Sequence, residues 1–279
     1  MRYLIVSCTL YDGGGLAMIR GAMNGLGQLD TQAEFRSLHA LQHDRLGIMK
    51  TFREPEQNDE AFQWADVILD IGGLFACQKN KYNWLNLRNK HDKPYVYMAQ
   101  SFKNIDPKLF HGTAIVSRGK RSAELVREHG FDVYIAPDLS FLVEPKEWTG
   151  RHYERAFISH AGKRIDPMYD ICDLDTDIQI ITKPPRGNEV YEPALPLNSF
   201  IGTPEETFGL IASVGEVHSA RYQMACAAIL AGKSVKIYDT GNIEYDKKYQ
   251  DLLDCNGMSA EALRGAAMLS CQVAYECGR

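Results

Sequence analysis

The residues best suited to chemistry fall where a hydrophobic run gives way to glycine or to a polar group. Tyr3 to Cys8 reads as a strand and leads into Tyr11-Asp12-Gly13-Gly14-Gly15, which opens a helix. Backbone N–H groups of such a turn can cradle an anion or let a substrate approach closely. Met18 stands where G-x-G-x-x-G needs its third glycine, which argues against a dinucleotide fingerprint. Asp70-Ile71-Gly72-Gly73-Leu74 closes a second run, Gln100-Ser101 a third and Val116-Ser117-Arg118 a fourth. Paired glycines admit a backbone approach that a side chain would block. Gln100 and Ser101 offer the neutral hydrogen bonds that sugar hydroxyls need, and Arg118 adds a cation. In the second half, Val217-His218-Ser219-Ala220-Arg221 passes from strand to helix with Ser219 in the N-cap role. Arg221 then falls in the first helical turn, where a cation opposes the helix dipole and needs an anion such as phosphate or carboxylate to justify it. His218 is either a hydrogen-bonded strand-end residue or an acid/base or phosphate contact.

Other signals carry less. Gly232-Lys233-Ser234 resembles the end of a phosphate loop, but Ala227 holds the place of the required first glycine and the segment runs from helix into strand. It reads as a helix C-terminus. Asp173, Asp175 and Asp177 alternate in a loop without companion ligands, so no metal is expected there. His39 and His43 sit at helical spacing without the Glu of a zinc motif and read as one exposed helix face.

These groups need a scaffold, and the patterning supplies one. Short β-rich runs at Tyr3–Cys8, Val67–Asp70, Tyr95–Met98, Thr113–Val116 and Val133–Ile135 alternate with helical stretches at Ala17–Gly25, Trp84–Lys90 and Ser122–His129. Strands parted by helices predict a parallel sheet. Val143 to Arg155 has no clear period and reads as a linker. Beyond it a second α/β unit is expected, with strands at Arg155–Ser159, Ile178–Thr182, Val214–His218 and Val235–Tyr238 and helices at Pro204–Ile211 and Ala220–Ala231. The proline-rich Lys183–Pro196 reads as a surface loop. Two Rossmann-like domains follow, 1–145 on the acceptor side and 150–279 on the donor side. Their strand ends face a cleft, the place where open α/β sheets bind ligands.

Composition narrows the classes. With 31 Lys+Arg against 36 Asp+Glu the net charge is −5, which speaks against a generally basic nucleic-acid or membrane coat. The nearest basic run, Lys79, Lys81, Arg88, Lys90 and Lys93, reads as a solvated helix face. No run approaches the roughly 20 apolar residues of a membrane span, and no secretion signal is evident in Met1–Cys8. Seven cysteines without a C-x-x-C pair point to reduced thiols in a cytoplasm.

Taken in order, these motifs resemble the polysaccharide pyruvyl transferase family over most of the chain. The resemblance rests on Asp12–Gly15, Trp64–Leu74, Pro94–Ser101, Val116-Ser117-Arg118 with Ser122, Leu125 and Gly130, Ala136-Pro137-Asp138-Leu139, and Ser219–Gln223 through Ala231–Val235. It implies a GT-B-like pair of Rossmann-type domains with parallel sheets about a central cleft, and transfer of the enolpyruvyl unit of phosphoenolpyruvate to sugar hydroxyls, with no bound cofactor. By the same resemblance Arg118, Ser219, Arg221, Gln223 and Tyr238 would hold an anionic donor. Gly13, Gly14, Gly15, Gly72, Gly73, Gln100 and Ser101 would line the acceptor side. The sequence departs from the family pattern at Gln223, where a histidine is usual, and at Leu16, where an aspartate follows the glycine turn. Asp12 and His218 are the neighbours that would take over the acid/base work. The alternatives are a GT-B glycosyltransferase using a nucleotide sugar, with a glycan or modified nucleobase as acceptor, and a catalytically inactive binding member.

Overall fold

The computed structural model describes residues 1–6, 13–38, 50–52, 55–72, 79–102, 105–159, 165–182, 195–238, 249, 252, 255 and 257–279. Asp12, Gly73, His39, His43 and most of the proline-rich segment lie outside them.

The first unit is a seven-stranded parallel sheet. Its strands are β1 (Arg2–Val6), β2 (Glu34–Leu38), β3 (Lys50–Phe52), β4 (Val67–Ile71), β5 (Tyr95–Gln100), β6 (Ala114–Ser117) and β7 (Tyr134–Ile135), in the spatial order β3-β2-β1-β4-β5-β6-β7. The interleaved helices are α1 (Gly13–Leu29), α2 (Asn58–Trp64), α3 (Lys79–His91), α4 (Pro107–Phe110) and α5 (Lys120–Glu128). The second unit is a five-stranded parallel sheet in the order β10-β9-β8-β11-β12. It comprises β8 (Arg155–Ile158), α6 (Asp166–Tyr169), β9 (Asp177–Ile180), β10 (Asn198–Phe200), α7 (Pro204–Ser213), β11 (Glu216–Ser219), α8 (Tyr222–Leu230) and β12 (Ser234–Ile237). The closing helix α9 (Ala260–Cys277) turns back and packs on β5, β6 and α1 of the first unit.

Alternation along the strands explains the layers. On the first sheet Tyr3, Ile5, Val67, Leu69, Val96 and Met98 face α1 and α9, whereas Leu4, Ile68, Tyr95 and Tyr97 face Phe62, Trp84, Phe110 and Val126 of the opposite layer. On the second sheet Ala156, Ile158, Ile178, Ile180 and Val217 face α7 and α8. Both faces of each sheet are covered, as an all-parallel sheet requires.

Two backbone features fix the path. Gly232 has φ +65°, and Lys233 N–H donates to Ala228 O at 2.9 Å, closing α8 as a glycine-terminated helix end. Ala99 is a non-glycine residue at φ +46°, sitting where the register between β5 and β6 shifts. The bulge sets Met98 and Ala99 on the same face, which delivers Gln100 to one side of the sheet and Ser101 to the other.

The 3₁₀ turn Leu139–Leu142 passes beneath α1 with no room to spare. A Cβ added at Gly21 would stand 1.8 Å from Leu139 O. Gly27, in the same helix, would meet nothing within 4 Å. The pair makes a contrast within a single helix. Gly21→Ala should lower stability by about 3 kcal/mol, at the upper end of overpacking costs, whereas Gly27→Ala should raise it by roughly 0.5–1 kcal/mol. Urea denaturation of the two variants reads both signs.

Candidate functional site

The residues near the strand ends fall into three main groups in the structure. Arg118, Ser101, Asp138 and Gln223 form the first. The Arg118 side chain has no exposed surface, and neither has that of Asp138, 2.8 Å away. Arg118 Nε and Nη2 donate to Ser101 Oγ at 3.0 and 2.6 Å, and its guanidinium lies 4.1 Å above the Tyr222 ring. Asp138 also accepts from Ser140 N–H at 2.9 Å and from Gln223 Nε2 at 3.4 Å. Arg118, expected to hold a donor, is thus engaged with Asp138 and Ser101 through its N–H groups and with Tyr222 through its face. Gln223 is likewise buried, its amide 3.4 Å from both Asp138 Oδ2 and Met18 Sδ.

His218 forms the second group. Val217 faces α8, so alternation turns His218 to the far side of the sheet, onto Phe157, at a 4.7 Å ring separation. Its Nδ1 lies 2.9 Å from Tyr238 Oη, and its Nε2 lies 3.3 Å from a Glu216 carboxylate oxygen. Burial lowers the His218 pKa, with Glu216 opposing. His218 thus sits at the end of β11 among Phe157, Tyr238 and Glu216. Ser219 is also reassigned. Arg221, not Ser219, occupies the N-cap, α8 begins at Tyr222, and the Ser219 hydroxyl accepts from Arg221 N–H at 3.0 Å. The hydroxyl reaches only two residues ahead, so it closes a turn before the helix instead of capping it. Arg221 is buried at the helix start.

Gln100 donates through Nε2 to Asp70 O and Oδ1 at 2.6 and 2.8 Å, and Tyr95 Oη donates to the other Asp70 oxygen at 2.7 Å. Gly72 follows β4 directly, and Gln100 and Ser101 are buried with it at the strand ends. The alternating aspartates are accounted for locally. Asp173 Oδ1 accepts from Asp175 and Thr176 N–H, which lowers its pKa, and Asp177 pairs with Arg155 at 2.8 Å. Among the described residues no cluster of His, Cys, Asp and Glu is arranged to hold a metal.

The third group is the one that sequence reasoning missed. A cavity of about 220 Å³ opens at the carboxyl ends of β9 and β10. Ile181 and Thr182 leave β9, Ile201, Gly202 and Thr203 lead from β10 into α7, and Met224 comes from the first turn of α8. Leu16 in α1, one turn beyond Gly13, supplies the wall from the first unit. The lining is predominantly apolar, with Thr182, Thr203 and Thr207 as its neutral polar residues and Glu206 as its acid, and among the described residues no Lys or Arg lines it. The positive end of α7 is already satisfied. Thr203 Oγ1 accepts from Glu206 N–H, and the Glu206 carboxylate accepts from Thr203 N–H, which with Lys146 lowers its pKa. Arg20 pairs with the adjacent Glu205. By contrast, α1 and α8 have no acidic residue in their first turns, and no side chain caps α8. The signal for this cavity was present as Thr203-Pro204-Glu205-Glu206, a capping box that fixes the turn after β10.

No protein-family model matches the chain, and no curated protein matches it. Solved structures do. The S. aureus MnaA–UDP co-structure superposes with a TM-score of 0.59 at 8% identity, covering 96% of this chain and 94% of that one. UDP-N-acetylglucosamine 2-epimerase from Rickettsia bellii gives 0.56 at 9% identity, with 98% and 95% covered. The Neisseria meningitidis UDP-GlcNAc 2-epimerase bound to UDP-GlcNAc gives 0.54 at 10% identity, with 99% of each chain covered. At these identities the likeness is one of fold. The chain has a GT-B-like fold of two Rossmann-type domains.

Two measurements follow from these contacts. Asp138→Asn leaves Arg118 buried opposite a neutral partner and should cost about 3–5 kcal/mol in urea unfolding. For His218 the folded-state pKa lies below the ordinary 6.5. Below about pH 6.5 the unfolded chain binds a proton that the native chain refuses, so this contribution to stability is present in full above pH 6.5 and declines as pH falls toward the lowered value. His218→Gln should flatten that part of the stability profile between pH 7 and 5.

Proposed function

We propose that the protein is a GT-B enzyme acting on sugars, and that its donor is a nucleotide-linked sugar whose base occupies the cavity between Leu16, Ile181, Ile201 and Met224. One observation carries this reading: a largely apolar cavity at the carboxyl ends of two parallel strands, bordered by the acid-free starts of α1 and α8. A flat, uncharged ring suits such walls, with Thr182 and Thr207 to hydrogen-bond its edge. An anion does not suit this part of the site, because the Glu206 carboxylate lines it and the capping box already uses the Thr203 and Glu206 N–H groups. The charged part of the donor belongs at the N-termini of α8 and α1, where the positive dipole ends favour phosphate. Gly13, Gly14 and Gly15 begin α1 there, and Arg221 stands at the start of α8. The fold neighbours bound to UDP and to UDP-GlcNAc support this choice of donor.

Glycosyl transfer to a carbohydrate hydroxyl then needs a base on the acceptor side, and Asp12, just ahead of Gly13, is the proposed one. The pyruvyl reading keeps Arg221 and the glycine turn but loses Arg118 to Asp138 and finds no proton carrier at Gln223. A cytoplasmic setting and independence from metal belong to the same proposal. Cys172, Cys226, Cys255, Cys271 and Cys277 carry free thiols, in keeping with that setting. No described helix is long and apolar enough to cross a membrane.

The test is a thermal-shift titration with UDP, UDP-N-acetylglucosamine and phosphoenolpyruvate, read on the wild-type chain and on Ile201→Asp. Ile201 is 49% exposed at the cavity rim, so its substitution should spare the fold. UDP and its sugar should raise the melting temperature, and Ile201→Asp should weaken that binding at least about tenfold, or 1.4 kcal/mol. Stabilisation by phosphoenolpyruvate alone would overturn the reading in favour of pyruvyl transfer.

A further inference from the structure

Helix α3 is built against its own propensity. Its 13 residues include Asn80, Asn83, Asn86 and Asn89, one at every third position. Asparagine is a poor helix former because its amide competes for backbone groups, and exposed helix positions are more stable with Ala, Lys or Glu. Asn83, Asn86 and Asn89 are exposed. Among the described residues the Asn83 and Asn86 amides have no hydrogen-bond partner, so no structural contact accounts for them. Side chains three apart share one helix face. Here that face walls a groove of about 400 Å³, together with Leu87 and with Glu56, Asn58 and Asp59 from the start of α2 and the turn before it. The volume lies within the roughly 300–1,000 Å³ of small-molecule sites.

The lining supplies complementary groups. Each asparagine amide offers two N–H donors and one carbonyl acceptor, whereas ionised carboxylates only accept. Asp59 accepts from Lys90 Nζ at 2.6 Å and lies 2.9 Å from His91 Nε2, and the two lower its pKa. Tyr82, one turn before Asn86, is 41% exposed, yet its hydroxyl donates to Asp106, the N-cap of α4. An exposed ring tethered through its hydroxyl is a rigid platform, and its electron-rich face suits the C–H groups of a sugar ring. A phosphate backbone does not suit the groove. Two acids line it, and cations of α3 are used within the fold: Arg88 donates to the carbonyls of Lys93, His111 and Gly112, and Lys90 to Asp59. A neutral chain of hydroxyls suits it, since each hydroxyl can donate to a carboxylate and accept from an amide.

We propose that the groove between α2 and α3 binds a neutral oligosaccharide and holds the part of the acceptor remote from the reacting hydroxyl. Its place in catalysis rests on the carbohydrate acceptor proposed above; its affinity for sugar stands on the groove alone. Helix α3 is the element that follows β4, whose end carries Gly72 on the expected acceptor side.

NMR titration of the ligand-free chain with a tetramer of N-acetylglucosamine and with maltotetraose tests the proposal. Backbone amides of 82–87 and the side-chain amides of Asn83 and Asn86 should shift with at least one of them. Asn83→Ala combined with Asn86→Ala should weaken that binding at least about tenfold. The same variant should melt higher than the wild type, because Ala is the better helix former and a binding surface gives up stability for function. Shifts at these amides with neither sugar, binding undiminished in the variant, or binding lost together with a lower melting temperature would overturn the proposal. Donor binding is read separately with UDP. A chain that binds the oligosaccharide here and ignores UDP would contradict the nucleotide-sugar reading and keep this one, and the reverse pattern would do the opposite.

Discussion

Burying a guanidinium and a carboxylate with no exposed side-chain surface costs several kcal/mol per ion, and the cost is met only where hydrogen bonds satisfy what the pair leaves over. Around Arg118 and Asp138 that requirement recruits Ser101 from the end of β5, Ser140 from the 3₁₀ turn, and Tyr222 and Gln223 from α8. These come from three stretches of chain, so the pair has all these partners only when the first sheet, the 3₁₀ turn and α8 are assembled together. The Ala99 bulge is part of the same constraint. Without its change of face, Ser101 would point away from Arg118, and Gln100 would not reach Asp70.

From this junction the arrangement of the cavity follows. Met18 and Leu16 lie on α1, Gln223 and Met224 lie on α8, and in each case one residue belongs to the buried junction while its near neighbour lines the cavity. The polar network therefore sets the distance between walls that are themselves apolar. The third wall is fixed separately, by the capping box of Thr203 and Glu206 and by the ion pair between Arg20 and Glu205, which ties α1 to α7. A site assembled this way favours a rigid, flat group over a flexible one, since little of the wall is free to adapt.

Much of the architecture was legible because parallel strands buried on both faces are continuous β-branched and aromatic runs, as in Tyr3-Leu4-Ile5-Val6 and Val67-Ile68-Leu69. Strands β2, β3 and β10 were not, because Glu34–Leu38, Lys50–Phe52 and Asn198–Phe200 mix polar residues into edge or near-edge positions. Helix α9 escaped because its buried stripe of Leu263, Ala267, Ser270, Cys271 and Ala274 is built of small residues with little contrast in hydropathy. Of the candidate site, the strand ends and glycine turns could be read in order, but the task of each charge could not. Arg118 looks like a free cation until Asp138, twenty positions on, and Tyr222, in the other unit, are seen against it. The contacts of His218 with Phe157 and Tyr238 depend on which face of β11 it takes, and that is fixed by Val217 on the other face. The cavity lay hidden because its walls are Leu, Ile, Met and Thr, residue types that announce packing and not chemistry.

The proposal that this cavity receives a nucleotide base is tested most directly by saturation-transfer NMR with UDP-N-acetylglucosamine, which shows which ligand protons touch protein. The expected result is strongest saturation at the uracil H5 and H6 protons, lost in Ile201→Asp while the variant keeps its fold. Saturation confined to the sugar, or undiminished at the uracil in Ile201→Asp, would contradict it.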